Sequence, residues 1–506
     1  MRGTELEDAV RAALKSTNLD WLLRMHRYVG IQDLGSMQAS RTVFREPTPG
    51  DVAGDVLVGY TVPSGIPVGL WFRDFRGHVF VSGRSGVGKS ALTWLIASQV
   101  VASKTVTIFD IEEEYATLAA DSEAWLLMRF QHWRRNHFVG PLALAGADWL
   151  ERLTGVLEEA FGLTPLSMAQ FRAFVSGMRE AGDSLTWPAL LEHLRPLAMR
   201  SASHKALYYR ILNLLSSYGD QYGVTTGYAL RDVLGRPLIL GLKNVSADQR
   251  LFLYADLYSY HTAAEDVKTA TALNGIWIFD EYHSLMDAAW RDKEPLSFKM
   301  LRQISKRGTG LVVCEQSPAT LDARARTNYA TRCFFSQRDR TNINYAVDSL
   351  DLSQAQREFY KWLPPRHYIM QHPRVSFPFV VRVPDLAIRQ PSRDEIERRI
   401  QRSLEVLGFS QADARAQAGA RPAHRTGLEP ADDLLTYLRA IVQYPNMPAT
   451  DRDKQIGIGP AKAAALRRQA LAEGLVERVS VNPGGRGKAF LSLSLTAKGR
   501  TALGLP

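Results

Sequence analysis

Between Val79 and Ala97 an apolar run, Val79-Phe80-Val81, meets Ser82-Gly83-Arg84-Ser85-Gly86-Val87-Gly88-Lys89-Ser90 and continues as Ala91-Leu92-Thr93-Trp94-Leu95-Ile96-Ala97. Few folds accommodate that order. A buried strand has to stop in a tight glycine turn that opens directly into a helix. The spacing is G-x-x-x-x-G-K-S, in which glycines let backbone N–H groups turn inward around phosphate oxygens. The helix start adds the positive end of its dipole. The phosphate-binding set is therefore Gly83, Ser85, Gly86, Val87, Gly88, Lys89, Ser90 and Ala91. Lys89 is expected on the β- and γ-phosphates of ATP, and the Ser90 hydroxyl on Mg²⁺.

The strand that enters this loop is one of several. Apolar runs at His78–Ser82, Thr105–Asp110, Pro237–Leu242, Gly275–Asp280, Gly310–Cys314 and Arg332–Phe335 alternate with helical patterns. That alternation predicts an α/β fold around a mostly parallel sheet. A closing pair lies at His367–Gln371 and Phe379–Val383. The stretch from about 115 to 234 breaks the pattern and reads as a helical insertion with a packing role. Before the core, residues 1–75 hold one or two amphipathic helices (Leu6–Leu14, Trp21–Val29) and extended stretches at Val56–Tyr60 and Ile66–Trp71. The expected division is an N-terminal segment 1–75, a core 76–385, a helix and linker 386–430, and a C-terminal unit 431–506. At 506 residues the chain is too long for one core.

No apolar run approaches the roughly 20 residues of a membrane span, and Met1–Asp8 carries no secretory pattern. Cys314 and Cys333 are the only cysteines, which excludes a disulfide framework and suits reduced core thiols. The expected setting is cytoplasmic. The formal charge of +10 favours a polyanionic partner such as nucleic acid.

A nucleotide site also needs a carboxylate for the metal and a group to activate water. Ile276-Trp277-Ile278-Phe279-Asp280-Glu281 places two acids where ligands bind in open α/β sheets, at a strand's carboxyl end. Asp280 is expected on Mg²⁺ and Glu281 as general base. Gln316, just past the Gly310–Cys314 run, is placed to sense the γ-phosphate. Arg307, with Arg302 in reserve, is the candidate to neutralise charge developing on it. Glu192, His193 and His204 lack metal-ligand spacing and read as structural.

With these parts in order, the chain resembles the HerA-like branch of the FtsK–HerA ring ATPases, over residues 55–385. The likeness rests on His78–Gly83 entering the phosphate loop, on Ile108-Phe109-Asp110 followed by Glu114-Tyr115, and on Phe279-Asp280-Glu281-Tyr282-His283. It rests also on Arg307-Gly308, Glu315-Gln316-Ser317-Pro318, Leu363-Pro364-Pro365-Arg366 and Pro378–Pro384. The resemblance implies a RecA-like core in a homohexameric ring that threads double-stranded DNA, driven by ATP hydrolysis between subunits. Asp110 and Glu114 would then lie at the site periphery, and Arg307 would reach a neighbour's nucleotide. A nuclease or other effector partner, in DNA processing or phage defence, is implied as well. Three features depart from the branch. The first 75 residues are short for its β-barrel, Gly77 stands where the branch often has arginine, with Arg76 one step earlier, and Glu315 replaces the usual threonine.

The last unit carries a separate signal. Helical patterns at Asp432–Gln443, Asp451–Gly457 and from Pro460 to about Glu473 precede two strand-like runs, Leu475–Val479 and Ala489–Leu493. Together with Leu495-Thr496-Ala497-Lys498-Gly499, this resembles a winged helix-turn-helix domain. A helix carrying Lys462, Arg467 and Arg468 would suit the major groove, and a glycine-rich wing with Arg486 and Lys488 would suit phosphates. Protein contact is the competing role for such a domain. Two other functions remain open at this level: a conjugation- or secretion-type coupling ATPase, and a nucleotide-gated DNA-binding regulator. The acid Glu281 beside Asp280 argues against the regulator, because a switch needs no hydrolytic base.

Overall fold

The uninterrupted apolar runs become the strands of one sheet, buried on both faces. The structure, a computed structural model, describes residues 43–120, 122–142, 144–264, 270–282, 296–321, 328–386 and 388–408. In the C-terminal stretch it describes 437–438, 441, 463, 466–467, 469–471, 475–481, 490–497 and 500. Two compact units divide at Ala414/Arg415.

In chain order the first unit's strands are β1 (Val56–Thr61), β2 (Pro67–Leu70), β3 (Val79–Ser82), β4 (Thr105–Asp110), β5 (Leu126–Arg129), β6 (Leu238–Gly241), β7 (Gly275–Phe279), β8 (Thr309–Glu315), β9 (Thr331–Phe335), β10 (His367–Gln371) and β11 (Phe379–Arg382). They form a single sheet in the order β2-β1-β11-β10-β9-β3-β8-β7-β4-β6-β5. From β9 to β5 every pairing is parallel. From β9 outward through β10, β11, β1 and β2 every pairing is antiparallel. All residues of β3, β7 and β8 are buried, as parallel strands covered on both faces require. Each fully buried Val, Ile or Phe there contributes about 1.5–3 kcal/mol.

The helices of this unit are α1 (Lys89–Val100), α2 (Ala116–Ala120), α3 (Gly146–Phe161), α4 (Pro165–Glu180), α5 (Trp187–Ala198), α6 (Ala202–Tyr222), α7 (Leu230–Leu234), α8 (Ala247–Ala264), α9 (Leu296–Gln303), α10 (Arg340–Leu350), α11 (Gln354–Lys361) and α12 (Arg393–Val406). Among the described residues none is long and apolar enough to cross a membrane. Cys314 and Cys333 are buried free thiols in β8 and β9.

Three expectations change. First, the stretch from 115 to 234 is not helical throughout, because Leu126–Arg129 is strand β5, parallel to β6. Four residues are too few to display a period, so a short buried strand between helices reads as helix. Second, β1 and β2 are not an appendage. Tyr60 and Thr61 pair with Arg382 and Val381 of β11, so this stretch belongs to the main sheet. Third, α12 is part of the core. It covers the free edge of β5, where the Leu127 N–H donates to Ser403 Oγ at 2.9 Å. Arg399 donates to the carbonyls of Ala119 (3.1 Å) and Glu123 (2.8 Å). An edge strand with unpaired backbone groups invites association, and this helix removes that exposure. The N-terminal helical patterns at Leu6–Leu14 and Trp21–Val29 lie outside the described residues.

The insertion α3–α6 is fastened to α8 by a buried polar cluster. Arg135 Nε donates to Asp256 Oδ2 at 3.0 Å, both side chains being almost wholly inaccessible. Trp187 Nε1 donates to His137 Nδ1 at 3.0 Å, and Trp149 Nε1 to the His137 carbonyl at 2.7 Å. Burial pushes the His137 pKa down to about 3, so its ring stays neutral and accepts the indole proton.

In the second unit, β12 (Val476–Val481) and β13 (Phe490–Leu495) form an antiparallel pair with Val476 opposite Leu495 and Val481 opposite Phe490. Tyr437, Leu438, Ile441, Leu466, Ala470, Leu475 and Val476 make a small buried cluster. The helical pattern at Asp451–Gly457 lies outside the described residues.

Candidate active site

The phosphate loop is held by the strands beside it. Gly83 N–H donates to the Glu315 carbonyl at the tip of β8 (3.2 Å), and Arg84 N–H to the Ser336 carbonyl beyond β9 (3.3 Å). Gly86 and Gly88 have φ of +74° and +111°, conformations in which a side chain is strained. Gly83 is required for a different reason: a Cβ there would lie 2.5 Å from the Phe335 Cβ. Ser85 and Gly86 are exposed at the crest of the loop and Val87 is buried beneath it. Lys89, Ser90 and Ala91 form the first turn of α1, half-buried. Lys89 Nζ folds back to donate to the Arg84 carbonyl at 3.1 Å.

Strand order brings the acids to the same edge. β8 lies between β3 and β7, with Ser82 level with Glu315 and Phe279 level with Val313. The residues following β3, β7 and β8 therefore converge. Burial pushes the Asp280 carboxyl up to about 7, helped by Asp110, Glu114 and Glu281, while Lys89 holds it down. Asp110 itself is pushed up to about 6 by burial, although its carboxylate accepts the Glu114 and Tyr115 N–H groups at 3.0 Å each. Burial lowers the Lys89 pKa, and Asp280, Glu114 and Glu315 oppose it. Tyr115, of the Glu114-Tyr115 pair, shares a 2.6 Å hydrogen bond between its hydroxyl and Thr93 Oγ1, so the tip of β4 is tied to α1 beneath the loop.

Glu281 has φ of +56°, unusual for a residue with a Cβ. Its carboxylate accepts a hydrogen bond from Gln316 Nε2 at 2.7 Å. Gln337 Nε2 bridges Ser82 Oγ (3.2 Å) and the Gln316 carbonyl (3.1 Å). Buried Glu315 accepts the Ser317 N–H at 2.8 Å, tightening the turn that carries Gln316. Gln337 is absent from the sequence-based site, although the reasoning applied to Gln316, a polar amide just past a strand tip, would have found it in Phe334-Phe335-Ser336-Gln337.

Within one chain Arg307 and Arg302 are not members of this site. Arg307 precedes Thr309 at the start of β8, whereas Gln316 follows its end. A seven-residue strand separates them, about 20 Å of chain. Arg307 lies close enough to His261 of α8 to depress that ring's pKa further, after burial, to about 4. Arg76 is occupied on the same far side, donating to the Thr271 carbonyl at 3.0 Å. Of the basic residues expected on DNA, Lys462, Arg468, Arg486 and Lys488 lie outside the described residues. Arg467 is half-buried and its Nε donates to the Tyr437 hydroxyl at 3.4 Å.

A glycine loop on a strand-to-helix turn, with a lysine at its end and two acids on the next strand but one, defines a P-loop ATPase. Residues 56–143 match the family described as the central domain of helicase HerA (DUF87). In structure the chain is similar to VirB4 of Thermoanaerobacter pseudethanolicus at 13% identity and TM-score 0.52, covering 66% of this chain and 98% of that one. It is also similar to the bacterial conjugative coupling protein TrwB at 16% identity and TM-score 0.49, covering 70% and 94%. No curated protein matches its sequence significantly. The likeness to the HerA central domain covers residues 56–143, the stretch that carries the phosphate loop and strands β1 to β5.

The residues suit a magnesium ion shared with phosphates. Burial raises Asp280, and the nearby acids Asp110, Glu114 and Glu281 raise it further, a repulsion a cation relieves. Among the described residues no group of three or more His, Cys, Asp or Glu side chains could hold a metal alone. Ser90 and Asp280 would supply the protein's ligands, leaving the others to phosphate and water.

The raised Asp280 pKa has a consequence for stability. An acid raised on folding stabilises the native state most below its unfolded value near 3.8, and that contribution is lost as pH rises through about 7. Asp280→Asn removes the charge at nearly constant shape. The variant should melt higher than the parent at pH 8 without nucleotide, by on the order of 2 kcal/mol. The gap should shrink toward pH 5 in paired thermal melts.

Proposed function

We propose that the chain is an ATP- and Mg²⁺-dependent motor that moves double-stranded DNA as a homohexameric ring in the cytoplasm. The observation that carries this reading is the convergence at one sheet edge of Lys89, Asp280 and Glu281, with Gln316 bonded to the Glu281 carboxylate. Lys89 and the loop N–H groups would bind the β- and γ-phosphates, and Asp280 and Ser90 the metal that offsets phosphate charge. Glu281 would take the proton of the attacking water, oriented by Gln316. Arg307, on the far side of its own chain, would serve a neighbouring subunit, which is why a ring is part of the proposal. The +10 charge and the similarity to the HerA central domain support DNA as the moved polymer. A nuclease or other effector partner, in DNA processing or phage defence, belongs to the same reading.

The deciding experiment is steady-state phosphate release with and without linear double-stranded DNA. Stimulation that disappears in Glu281→Gln supports the motor. Binding of a short duplex without turnover would replace it with a nucleotide-gated regulator. Co-fractionation with membranes would favour a coupling ATPase.

The C-terminal unit is proposed as a winged helix-turn-helix that engages DNA or a partner. It forms a compact unit with its own buried cluster. Deleting residues 431–506 should leave basal ATPase within about twofold and weaken DNA engagement or partner binding. Complete loss of turnover would make that unit part of the ring assembly.

A further inference from the structure

The residue that leads into β10 is set against the phosphate loop in an unusual way. Arg366 has φ of +64°, a left-handed conformation that glycine adopts freely and arginine does not. Its backbone N–H donates to the Val87 carbonyl, inside the loop, at 2.7 Å. A Cβ built on Gly88 would stand 3.3 Å from both the Arg366 Cα and its Cγ. Arg366 therefore covers the last glycine of the loop from the antiparallel flank of the sheet, the side opposite Asp280.

Nothing in this backbone arrangement needs the arginine side chain. Glycine would make the same bond to Val87 and would sit at this φ without strain. What the side chain adds is a guanidinium on a stem whose Cγ lies against the last glycine of the loop. Its Nη1 donates to Asp385 Oδ1 at 2.5 Å and to the Pro384 carbonyl at 3.3 Å. The Asp385 side chain is 74% exposed and also accepts from Arg382 at 3.0 Å, so its partnership with Arg366 is open to water and readily exchanged. A guanidinium that pairs with a carboxylate pairs equally with a phosphate, in the same forked geometry.

We propose that Arg366 contacts the phosphate chain of the bound nucleotide, with Asp385 as the acceptor that competes for it. The inference rests on the ATP-binding reading and extends it with a second cation. Lys89 approaches from the helix that follows the loop, and Arg366 from the turn that leads into β10.

The test uses the full chain, a fluorescent ATP analogue with Mg²⁺, and inorganic tripolyphosphate as competitor. Arg366→Gly should weaken both ligands by about tenfold, the size of one charge-assisted hydrogen bond. Its melting temperature should be equal to the parent's or higher, because glycine relieves the left-handed strain. Arg366→Gln, which keeps most of the side chain's length, should lose the same affinity. Asp385→Asn should bind as tightly as the parent or more tightly. Affinity within twofold of the parent in both Arg366 variants overturns the proposal. So does an equal loss in Asp385→Asn, which would make the pair a structural clasp, or a loss for ATP not shared by tripolyphosphate. If the parent binds neither ligand, the ATP reading itself is overturned. A parent that binds, with unaffected Arg366 variants, removes only this contact.

Discussion

Glu281→Gln should reduce ATP turnover by about 10²- to 10⁴-fold, the range general-base catalysis supplies, while nucleotide affinity stays close to the parent's. The substitution changes little besides basicity. Glu281 accepts a hydrogen bond from Gln316 Nε2, and a glutamine at 281 can still accept it through its amide oxygen. Side-chain length and the left-handed backbone at this position are unchanged. What disappears is the basic carboxylate that takes a proton from water. Binding should persist because the phosphate loop and Lys89 are untouched. Single-turnover phosphate release and equilibrium titration with an ATP analogue separate the two quantities. Turnover within tenfold of the parent would remove Glu281 from the chemistry and leave its strained backbone without a functional account.

The parts of this site that could be read from sequence are those where local chemistry and buried strands coincide. Val79–Ser82 and Gly275–Phe279 are uniformly apolar, so each strand ends where the polarity changes, and the functional residues stand at that change. The phosphate loop and the Asp280-Glu281 pair were legible for that reason. Gln316 was legible as a polar tip, but its bond to Glu281 was not, because it depends on β8 lying between β3 and β7. Strand order is a property of the whole chain, and no local pattern encodes it.

The same limit explains the arginines. Arg307 precedes a strand and Arg366 leads into one, and sequence spacing does not say which end of the sheet either occupies. Parallel pairing puts Arg307 at the edge away from Lys89. Antiparallel pairing of β10 with β9 puts Arg366 at the edge beside it, since Tyr368 is level with Phe335. Arg307 therefore lies away from its own chain's phosphate loop, as a residue expected to reach a neighbour's nucleotide can, whereas the nearness of Arg366 to that loop is visible only once the strands are paired. Strand β5 was missed for a different reason, being four residues long in a leucine-rich stretch.

Lys89→Ala should lower nucleotide affinity by about a hundredfold or more. Burial disfavours the charge of the Lys89 ammonium, and neighbouring groups, Asp280, Glu114 and Glu315 among them, oppose that shift. Losing the charge-assisted hydrogen bonds of that ammonium to the phosphates costs on the order of 3 kcal/mol, which is about two decades in affinity. The phosphate chain would then approach Asp280 and its acidic neighbours Asp110 and Glu114 without the Lys89 ammonium between them, and Asp280 would lose a positive neighbour that holds its pKa down. The loss should therefore steepen between pH 6 and pH 8, as Asp280 ionises, and should be reduced by added Mg²⁺. The fold should survive, because the hydrogen bond surrendered is a single donation to the Arg84 carbonyl. Titration with an ATP analogue at both pH values checks the prediction, and affinity equal to the parent's would show that Lys89 does not hold the phosphates.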